Sequence, residues 1–285
     1  MSDLGGFKKV CVIGAGQMGN GIAQVMATSG LQVTLYDVAA TQVENAKKNI
    51  ETSLNKLQAK EILSAAQVQT ALANLTYQST PQFADADLVI EAVIENESIK
   101  EKVFRHADEH VQKNAVLASN TSSIPITRLA SYTKRPDKFI GLHFMNPVPL
   151  MKLVEIIPGM ATSDETKNRT TQLITGIGKE ISLSQDFPGF VVNRILMPMI
   201  NEAFFALMEG VASAEDIDKG MKLGTNQPMG PLTLADFIGL DTCLAILKVL
   251  HNGLGDPKYR PCPLLSKYVE AGYLGRKTKR GVYQY

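Results

Sequence analysis

The first two thirds of the chain alternate between short apolar runs rich in β-forming residues and longer stretches of helical periodicity. This alternation is typical of a parallel sheet whose strands are joined by helices. Between the second and third runs, residues 41–73 carry apolar side chains at helical spacing, which predicts one long helix with a solvated opposite face. The predicted strands are residues 9–13, 33–36, 88–92, 116–119, 139–143 and 153–157.

The sequence changes character after Asp186, and almost all that follows predicts helices. Pro188 cannot continue a strand ladder and suits the first turn of a helix, so we place a domain boundary beside it. The segment 191–208 is too apolar to stand alone, and Ser213 predicts the N-cap of a further helix that ends at Gly224. Two more helices are expected at residues 231–237 and 241–250.

These patterns predict two domains. Residues 1–186 are expected to form an α/β domain with a doubly wound, mostly parallel sheet, and residues 187–285 an all-helical C-terminal domain. A chain of 285 residues is long enough to bury a substantial core in this arrangement.

Composition bears on partners and location. With 45% hydrophobic residues, 20% charged residues and a net charge of +1, we expect neither a nucleic-acid partner nor a membrane role. The longest apolar stretches are far shorter than the roughly 20 residues of a membrane span. The first seven residues lack the pattern of a secretory signal, so we expect a cytoplasmic protein.

The three cysteines are too scattered for a disulfide framework or a zinc site, and we interpret them as reduced structural thiols without a metal.

Three glycines follow the first predicted strand directly, and a helix opens at Gln17 and Met18. Gly14 permits a tight turn, Gly16 lets a pyrophosphate approach the backbone, and Gly19 allows the helix to pack closely on the strand. The unpaired N–H groups and the positive dipole end of this helix would meet the phosphates. The segment therefore predicts the phosphate-binding turn of a Rossmann-type dinucleotide-binding fold.

Asp37 ends the second predicted strand. A carboxylate at this position can accept hydrogen bonds from both ribose hydroxyl groups and repels a 2′-phosphate. We therefore expect NAD as the cofactor. NADP stays an alternative, because a neighbouring cation would tolerate the additional phosphate.

Ligands of open α/β sheets lie beyond the carboxyl ends of the strands, so polar residues there are candidates for chemistry. His143 ends a predicted strand, and a histidine is the usual acceptor of the proton that a hydroxyl group loses when its carbon gives up hydride. Glu155, in the next strand, would hold the imidazole in one tautomer and stabilise its charged form. A purely structural histidine is the alternative. The hydroxyl-rich run 119–123 suits either substrate binding or a turn.

Seven motifs are spread over the whole chain: VIGAGQMG at 12–19, ASNTSS at 118–123, GLHF at 141–144, NPVP at 146–149, DFPGFVVNR at 186–194, MGPL at 229–232 and GRK at 275–277. They resemble those of the short-chain 3-hydroxyacyl-CoA dehydrogenases, most closely the bacterial 3-hydroxybutyryl-CoA dehydrogenases. The resemblance implies NAD-dependent interconversion of an (S)-3-hydroxyacyl-CoA and a 3-oxoacyl-CoA, with 3-hydroxybutyryl-CoA and acetoacetyl-CoA as the expected pair.

The resemblance also implies roles for individual residues. His143 matches the family's catalytic base and Glu155 its orienting partner, while Ser122 and Asn193 match residues that hydrogen-bond the 3-oxygen of the substrate. Asn193 belongs to the second domain, which implies an active site in the cleft between the domains. Positions that contact the cofactor are matched by Glu95, Lys100, Asn146 and Lys277, and contacts to coenzyme A by Ser53 and Lys60.

The coenzyme A contacts have independent support, because Ser53, Lys56 and Lys60 share one helical face and their cations suit phosphates. A merely solvated lysine face is the alternative.

Two other functions stay open: a non-catalytic NAD-binding protein, and a dehydrogenase of free β-hydroxy acids, a class that relies on a lysine for acid–base chemistry.

We also expect a homodimer, because the family is usually dimeric through its helical domain and residues 195–207 offer a large apolar surface.

Overall fold

The structure of the protein is a computed structural model that describes residues 3–81 and 83–285. The described chain divides into two compact units, of which the first ends at Phe187 and the second begins at Pro188. Each unit has its own core of buried aliphatic and aromatic side chains.

The first unit is built on a mostly parallel sheet. Its strands are β1 (Lys9–Ile13), β2 (Gln32–Tyr36), β3 (Leu75–Gln78), β4 (Leu88–Glu91), β5 (Val116–Ser119), β6 (Phe139–Phe144), β7 (Leu153–Pro158) and β8 (Glu180–Leu183). Within the described residues they form a single eight-stranded sheet in the order β3-β2-β1-β4-β5-β6-β7-β8. The first six are parallel, whereas β7 is antiparallel to β6 and parallel to β8.

Helices connect these strands: α1 (Gln17–Thr28), α2 (Ala40–Ala59), α3 (Ala65–Ala73), α4 (Glu97–His110), α5 (Ile126–Ala130) and α6 (Asp164–Gly176). The strand order reverses at β1, which pairs with β2 on one side and β4 on the other. At such a switch point the two neighbouring connections leave on opposite faces of the sheet and open a crevice beyond the strand ends. The carboxyl ends of β1 and β4 are therefore where a ligand is expected.

The second unit is helical. It consists of α7 (Val192–Met208), α8 (Ala214–Gly224), α9 (Pro231–Ile238), α10 (Leu240–Leu254) and α11 (Pro263–Glu270). Phe204, Leu232, Leu247 and Leu265 are fully buried in its core, which explains why so apolar a helix as α7 is accommodated. In the part of the chain that the structure describes, the helices fall short of the length and apolar character that crossing a membrane requires.

The predicted fold class is confirmed, with a mostly parallel α/β sheet followed by helices. The single long helix expected over residues 41–73 is wrong, because α2 ends before Lys60 and Glu61 adopts a φ of 57°. Ser64 then begins α3 with a capping box, in which its side chain accepts from the backbone N–H of Gln67. The sequence signal for this break is Ser64 with Gln67 three residues later.

Three further features differ from the prediction. Strands β3 and β8 were not predicted, and β7 is antiparallel because the eight residues that join it to β6 are too few for a crossover helix. Pro188 does not begin a helix. Gly189 and Phe190 follow it with φ values of 79° and 50°, and α7 begins only at Val192.

Candidate active site

The glycine turn connects β1 to α1, and its geometry explains each glycine. Gly14 has a φ of 105°, and a Cβ on it would lie 2.6 Å from the carbonyl oxygen of Ala92. A Cβ on Gly19 would collide with the carbonyl oxygen of Gly14. At Gly16, by contrast, a Cβ would meet no described atom within 4 Å, so the backbone there is open to a ligand. Gly16 is also the N-cap of α1 and offers no side chain to its N–H groups, which suits a phosphate.

Asp37 follows β2 and is tied to this turn. One carboxylate oxygen accepts from the backbone N–H of Ala15 at 2.9 Å, and the other accepts from that of Ala39 at 2.9 Å. Beside it opens a cavity of about 650 Å³, whose mostly apolar lining includes Gly14, Gly16, Gln17, Met18, Asp37, Val38, Phe83, Ile94, Val103 and His106. Apolar walls with one carboxylate and one bare glycine backbone fit the adenosine and pyrophosphate of a dinucleotide.

His143 and Glu155 meet because they are cross-strand neighbours in the antiparallel register of β6 and β7. The distance from His143 Nδ1 to Glu155 Oε2 is 2.7 Å, with Glu155 fully buried and His143 8% exposed. With the carboxylate as acceptor, Nδ1 carries the ring proton and Nε2 keeps its lone pair. The pair therefore has the arrangement of a general base with an orienting carboxylate.

A loop of small hydroxyl residues follows β5 and is held by Glu95. Glu95 Oε1 accepts from the backbone N–H groups of Ser122 and Ser123 at 2.9 and 3.0 Å, and from the hydroxyl groups of Thr121 and Ser123 at 2.5 and 2.9 Å. The Ser122 hydroxyl lies 3.3 Å from the same oxygen. Burial raises the pKa of Glu95, but the charge of Lys100 and these hydrogen bonds outweigh it, so the pKa lies below its usual range. An ionised Glu95 thus fixes the position of Ser122.

Lys100 connects Glu95 to a second carboxylate that the sequence did not single out. Its Nζ lies 2.6 Å from Glu91 Oε1 and 3.3 Å from Glu95 Oε2, and its side chain is only 1% exposed. Glu91 ends β4 with no exposed surface and also accepts from the backbone N–H of Val93 at 2.7 Å and the hydroxyl of Ser119 at 2.6 Å. Burial raises the pKa of Glu91 despite the neighbouring lysine. Only its position at the end of an apolar strand hinted at this role.

A second cavity, of about 310 Å³, lies on the other side of the glycine turn. Its lining includes Gly16, Asn20, Asn49, Ser53 and Asn146, from α1, α2 and the segment that follows β6. The structure thus brings Ser53 and Asn146 together beside the turn. Lys60 lies at the C-terminal end of α2, where it is exposed and does not line this cavity.

Two predicted site residues belong to the helical unit. Asn193 lies in the first turn of α7 and is 8% exposed. Lys277 lies in a 3₁₀ turn near the end of the chain, where its Nζ is 2.6 Å from Asp241 Oδ2.

Comparison with known proteins covers both units. Residues 9–186 match the family described as 3-hydroxyacyl-CoA dehydrogenase, NAD binding domain, and residues 189–285 match its C-terminal domain. The chain is 54% identical to the 3-hydroxybutyryl-CoA dehydrogenase of Bradyrhizobium diazoefficiens, covering 98% of this chain and 95% of that protein. It is 57% identical to a probable 3-hydroxybutyryl-CoA dehydrogenase of Deinococcus radiodurans, covering 97% and 100%.

A solved structure of a 3-hydroxybutyryl-CoA dehydrogenase has a closely similar fold. The crystal structure of (S)-3-hydroxybutyryl-CoA dehydrogenase from Ralstonia eutropha superimposes with a TM-score of 0.94 at 50% identity, covering 98% of this chain and 99% of the other. These matches include every strand and helix that carries a predicted site residue.

Proposed function

The chain belongs to the 3-hydroxyacyl-CoA dehydrogenase family, whose first domain binds NAD, and from this premise we propose that it interconverts (S)-3-hydroxybutyryl-CoA and acetoacetyl-CoA. The observation that carries the proposal is the hydrogen bond between His143 and Glu155 at the carboxyl end of β6. The names of the relatives supply the substrate class.

His143 is the proposed acid–base group. Its Nε2 takes the proton of the 3-hydroxyl as hydride leaves C3, and bound NAD supplies the acceptor for that hydride. The imidazole becomes an imidazolium, whose charge the buried Glu155 carboxylate stabilises through the Nδ1 hydrogen bond of 2.7 Å. In the reverse direction the imidazolium returns its proton to the ketone oxygen.

Ser122 and Asn193 are the proposed hydrogen-bonding partners of the 3-oxygen. Support for Ser122 comes from Glu95, which holds its backbone N–H and its hydroxyl. In that role Ser122 is proposed to donate its hydroxyl proton to the 3-oxygen instead of to Glu95, so that the single proton of the substrate hydroxyl goes to His143. The proposed role of Asn193 rests on the family resemblance.

The cofactor is proposed to lie along the glycine turn, with its pyrophosphate at Gly16, Gln17, Met18 and Gly19 and its adenosine ribose at Asp37. Glu95, Asn146 and Lys277 are proposed contacts at the nicotinamide end. Lys100 is buried between Glu91 and Glu95, so its contribution to the cofactor site passes through Glu95.

Coenzyme A is proposed to contact Ser53 and Lys60 on α2. Ser53 lines the cavity that Asn146 also lines, and Lys60 is an exposed cation about two helical turns beyond Ser53. A cation at that position suits the phosphates of coenzyme A.

The first experiment measures NADH oxidation with acetoacetyl-CoA and, as a matched control, with free acetoacetate. We expect turnover with the CoA ester, little or none with the free acid, and a higher rate with NADH than with NADPH. Turnover of the free acid alone would favour the β-hydroxy acid class, and no turnover of either would favour a non-catalytic NAD-binding protein.

The second experiment tests the catalytic pair. His143→Gln is expected to lower kcat by about 10²- to 10⁴-fold while NADH still binds, as followed by its fluorescence. Glu155→Gln weakens a charged hydrogen bond worth about 1.5–3 kcal/mol and is expected to lower kcat by about 10- to 100-fold. The control is His251→Gln, the same substitution in the last turn of α10. Full activity in His143→Gln would refute the mechanism.

A homodimer is proposed through the helical unit. Ile195, Val211, Leu223 and Phe237 of this unit are each more than half exposed, which is a large apolar surface for an isolated chain. Light scattering at micromolar concentration is expected to give twice the chain mass, and a monomer would count against the proposal. The cytoplasmic location stays a prediction.

A further inference from the structure

The last two turns of α4 carry two histidines and a glutamate on one face: His106, Glu109 and His110. Residues separated by three and four positions are neighbours on a helix surface. One candidate ligand atom from each of the three side chains lies within 4.8 Å of the other two. We propose that these residues form a binding site for one divalent transition-metal ion such as Zn²⁺, separate from the catalytic pair.

The ring of His110 is held by a hydrogen bond to its own helix. Its Nδ1 lies 2.8 Å from the carbonyl oxygen of His106. A carbonyl oxygen only accepts, so Nδ1 carries the proton and Nε2 keeps the lone pair that a metal requires. A metal-bound histidine typically donates its other ring N–H to a carboxylate or a backbone carbonyl in this way. The tautomer needed for binding is therefore set before the ion arrives.

His106 is also held in place. Its ring packs edge-on against Phe83, with centroids 5.5 Å apart, and its centroid is 4.3 Å from that of His110. All three ligand side chains are exposed, so an ion reaches them without any opening of the core, and water completes the coordination.

The chemistry of the ligands selects the ion. Two imidazoles and one carboxylate suit Zn²⁺, Ni²⁺ or Cu²⁺, whereas Mg²⁺ and Ca²⁺ prefer oxygen ligands alone. Two histidines four residues apart on one helix, the spacing of His106 and His110, also bind zinc in the H-E-x-x-H motif and its inverted form H-x-x-E-H. The sequence-based expectation of no metal rested on the cysteines, and this site uses none of them.

The test titrates ZnCl₂ into the full-length protein, stripped of metal with EDTA, by isothermal titration calorimetry. We expect one ion per chain with micromolar affinity. His106→Ala and His110→Ala are each expected to weaken binding by at least about tenfold, the smallest loss seen when even a supporting partner of a metal ligand is removed. Glu109→Gln is expected to have a smaller effect in the same direction. His251→Ala, on α10, is the matched control and should bind as the wild type does.

Thermal unfolding supplies a second readout, since an ion that binds only the folded protein raises its Tm. ZnCl₂ is expected to raise the Tm of the wild type and of His251→Ala but not of His110→Ala. The proposal is overturned if the wild type does not bind ZnCl₂ in the micromolar range, or if the two histidine variants bind it unchanged. Binding that is lost instead in His143→Ala would place the ion on the catalytic pair and would also overturn it.

Discussion

Replacing Lys100 by methionine tests whether the buried charges beside the proposed cofactor site stabilise the protein as a unit. Methionine is also unbranched and only one heavy atom shorter than lysine, and it removes the charge. In the wild type the Lys100 ammonium lies 2.6 Å from Glu91 Oε1, and both side chains are essentially without solvent contact. The variant leaves the Glu91 carboxylate buried without its cation.

The expected cost follows from burial. Removing one partner of a buried ion pair costs about 3–5 kcal/mol, because the other charge is left uncompensated. Glu91 determines this figure, since its side chain is 0% exposed, whereas that of Glu95 is 36% exposed and keeps its donors from the 121–123 loop. We therefore expect a loss of about 3–5 kcal/mol in the free energy of unfolding, a large share of the roughly 5–15 kcal/mol typical of a domain.

The loss should depend on pH in a defined direction. Burial raises the pKa of Glu91 above its usual value, and Lys100 is the main influence that lowers it. Without Lys100 the folded-state pKa of Glu91 rises further. A carboxyl whose pKa is higher in the folded state contributes stability that is fully present below its unfolded pKa and is lost as pH rises through its folded pKa. The free energy of unfolding of the variant should therefore be closest to that of the wild type near pH 4, and the difference should be largest at neutral pH and above.

The assay is urea unfolding followed by circular dichroism at a series of pH values. The matched control is the double variant Glu91→Gln/Lys100→Met, which removes both charges and keeps a side-chain oxygen for Ser119 and Val93. We expect the free energy of unfolding of this double variant to exceed that of Lys100→Met by at least about 2 kcal/mol at neutral pH, since no buried charge remains. The reasoning is refuted if Lys100→Met loses less than about 1 kcal/mol, or if its loss is the same at acid and neutral pH.

Three further predictions concern other parts of the chain. Asp37→Ser removes the carboxylate that repels a 2′-phosphate and should raise the ratio of kcat/KM for NADPH to that for NADH by at least about tenfold. An unchanged ratio would contradict the proposed ribose site. Burial raises the pKa of Cys11 and of Cys243 to about 12, so a thiol reagent near pH 8 should label neither in the native protein and both in urea. Asp236→Ala removes the acceptor of the partly buried backbone N–H groups of Val282 and Tyr283, at a cost of about 1–3 kcal/mol of folding free energy for each. Calorimetry should show a clearly lower Tm.

Local signals in the sequence were sufficient for much of the first unit. The bounds of β1 and β5 agree with the predicted strands residue for residue, because each is a short, mainly apolar run followed by a turn-forming residue, Gly14 or Asn120. The roles of Gly14 and Gly19 were predicted from their spacing between a strand and a helix, and the structure gives the contacts that a side chain at either position would make.

The register between strands was not predicted. The antiparallel direction of β7 follows from the short connection after β6, and the predicted strands already left only the nine residues 144–152 for it, too few for a crossover helix. This direction places His143 directly opposite Glu155, and the two were expected to interact without any geometric account of how they would meet. In a parallel arrangement residues twelve apart would not face each other.

The two carboxylates beside Lys100 show most clearly what a sequence leaves undetermined. Glu91 is the last residue of β4, and Glu95 lies four residues further on, in the turn before α4. Both are glutamates, yet Glu91 is fully buried and Glu95 is partly exposed. The difference arises because β4 lies between β1 and β5 in the sheet, so that its last side chain is covered by its neighbours while the turn that follows is not. Burial raises the pKa of Glu91 above its usual range, whereas the charge of Lys100 and the hydrogen bonds from the 121–123 loop keep the pKa of Glu95 below its usual range. A charge assigned from the sequence alone would treat the two residues as equal, whereas the sheet makes one a support for the core and the other a support for Ser122.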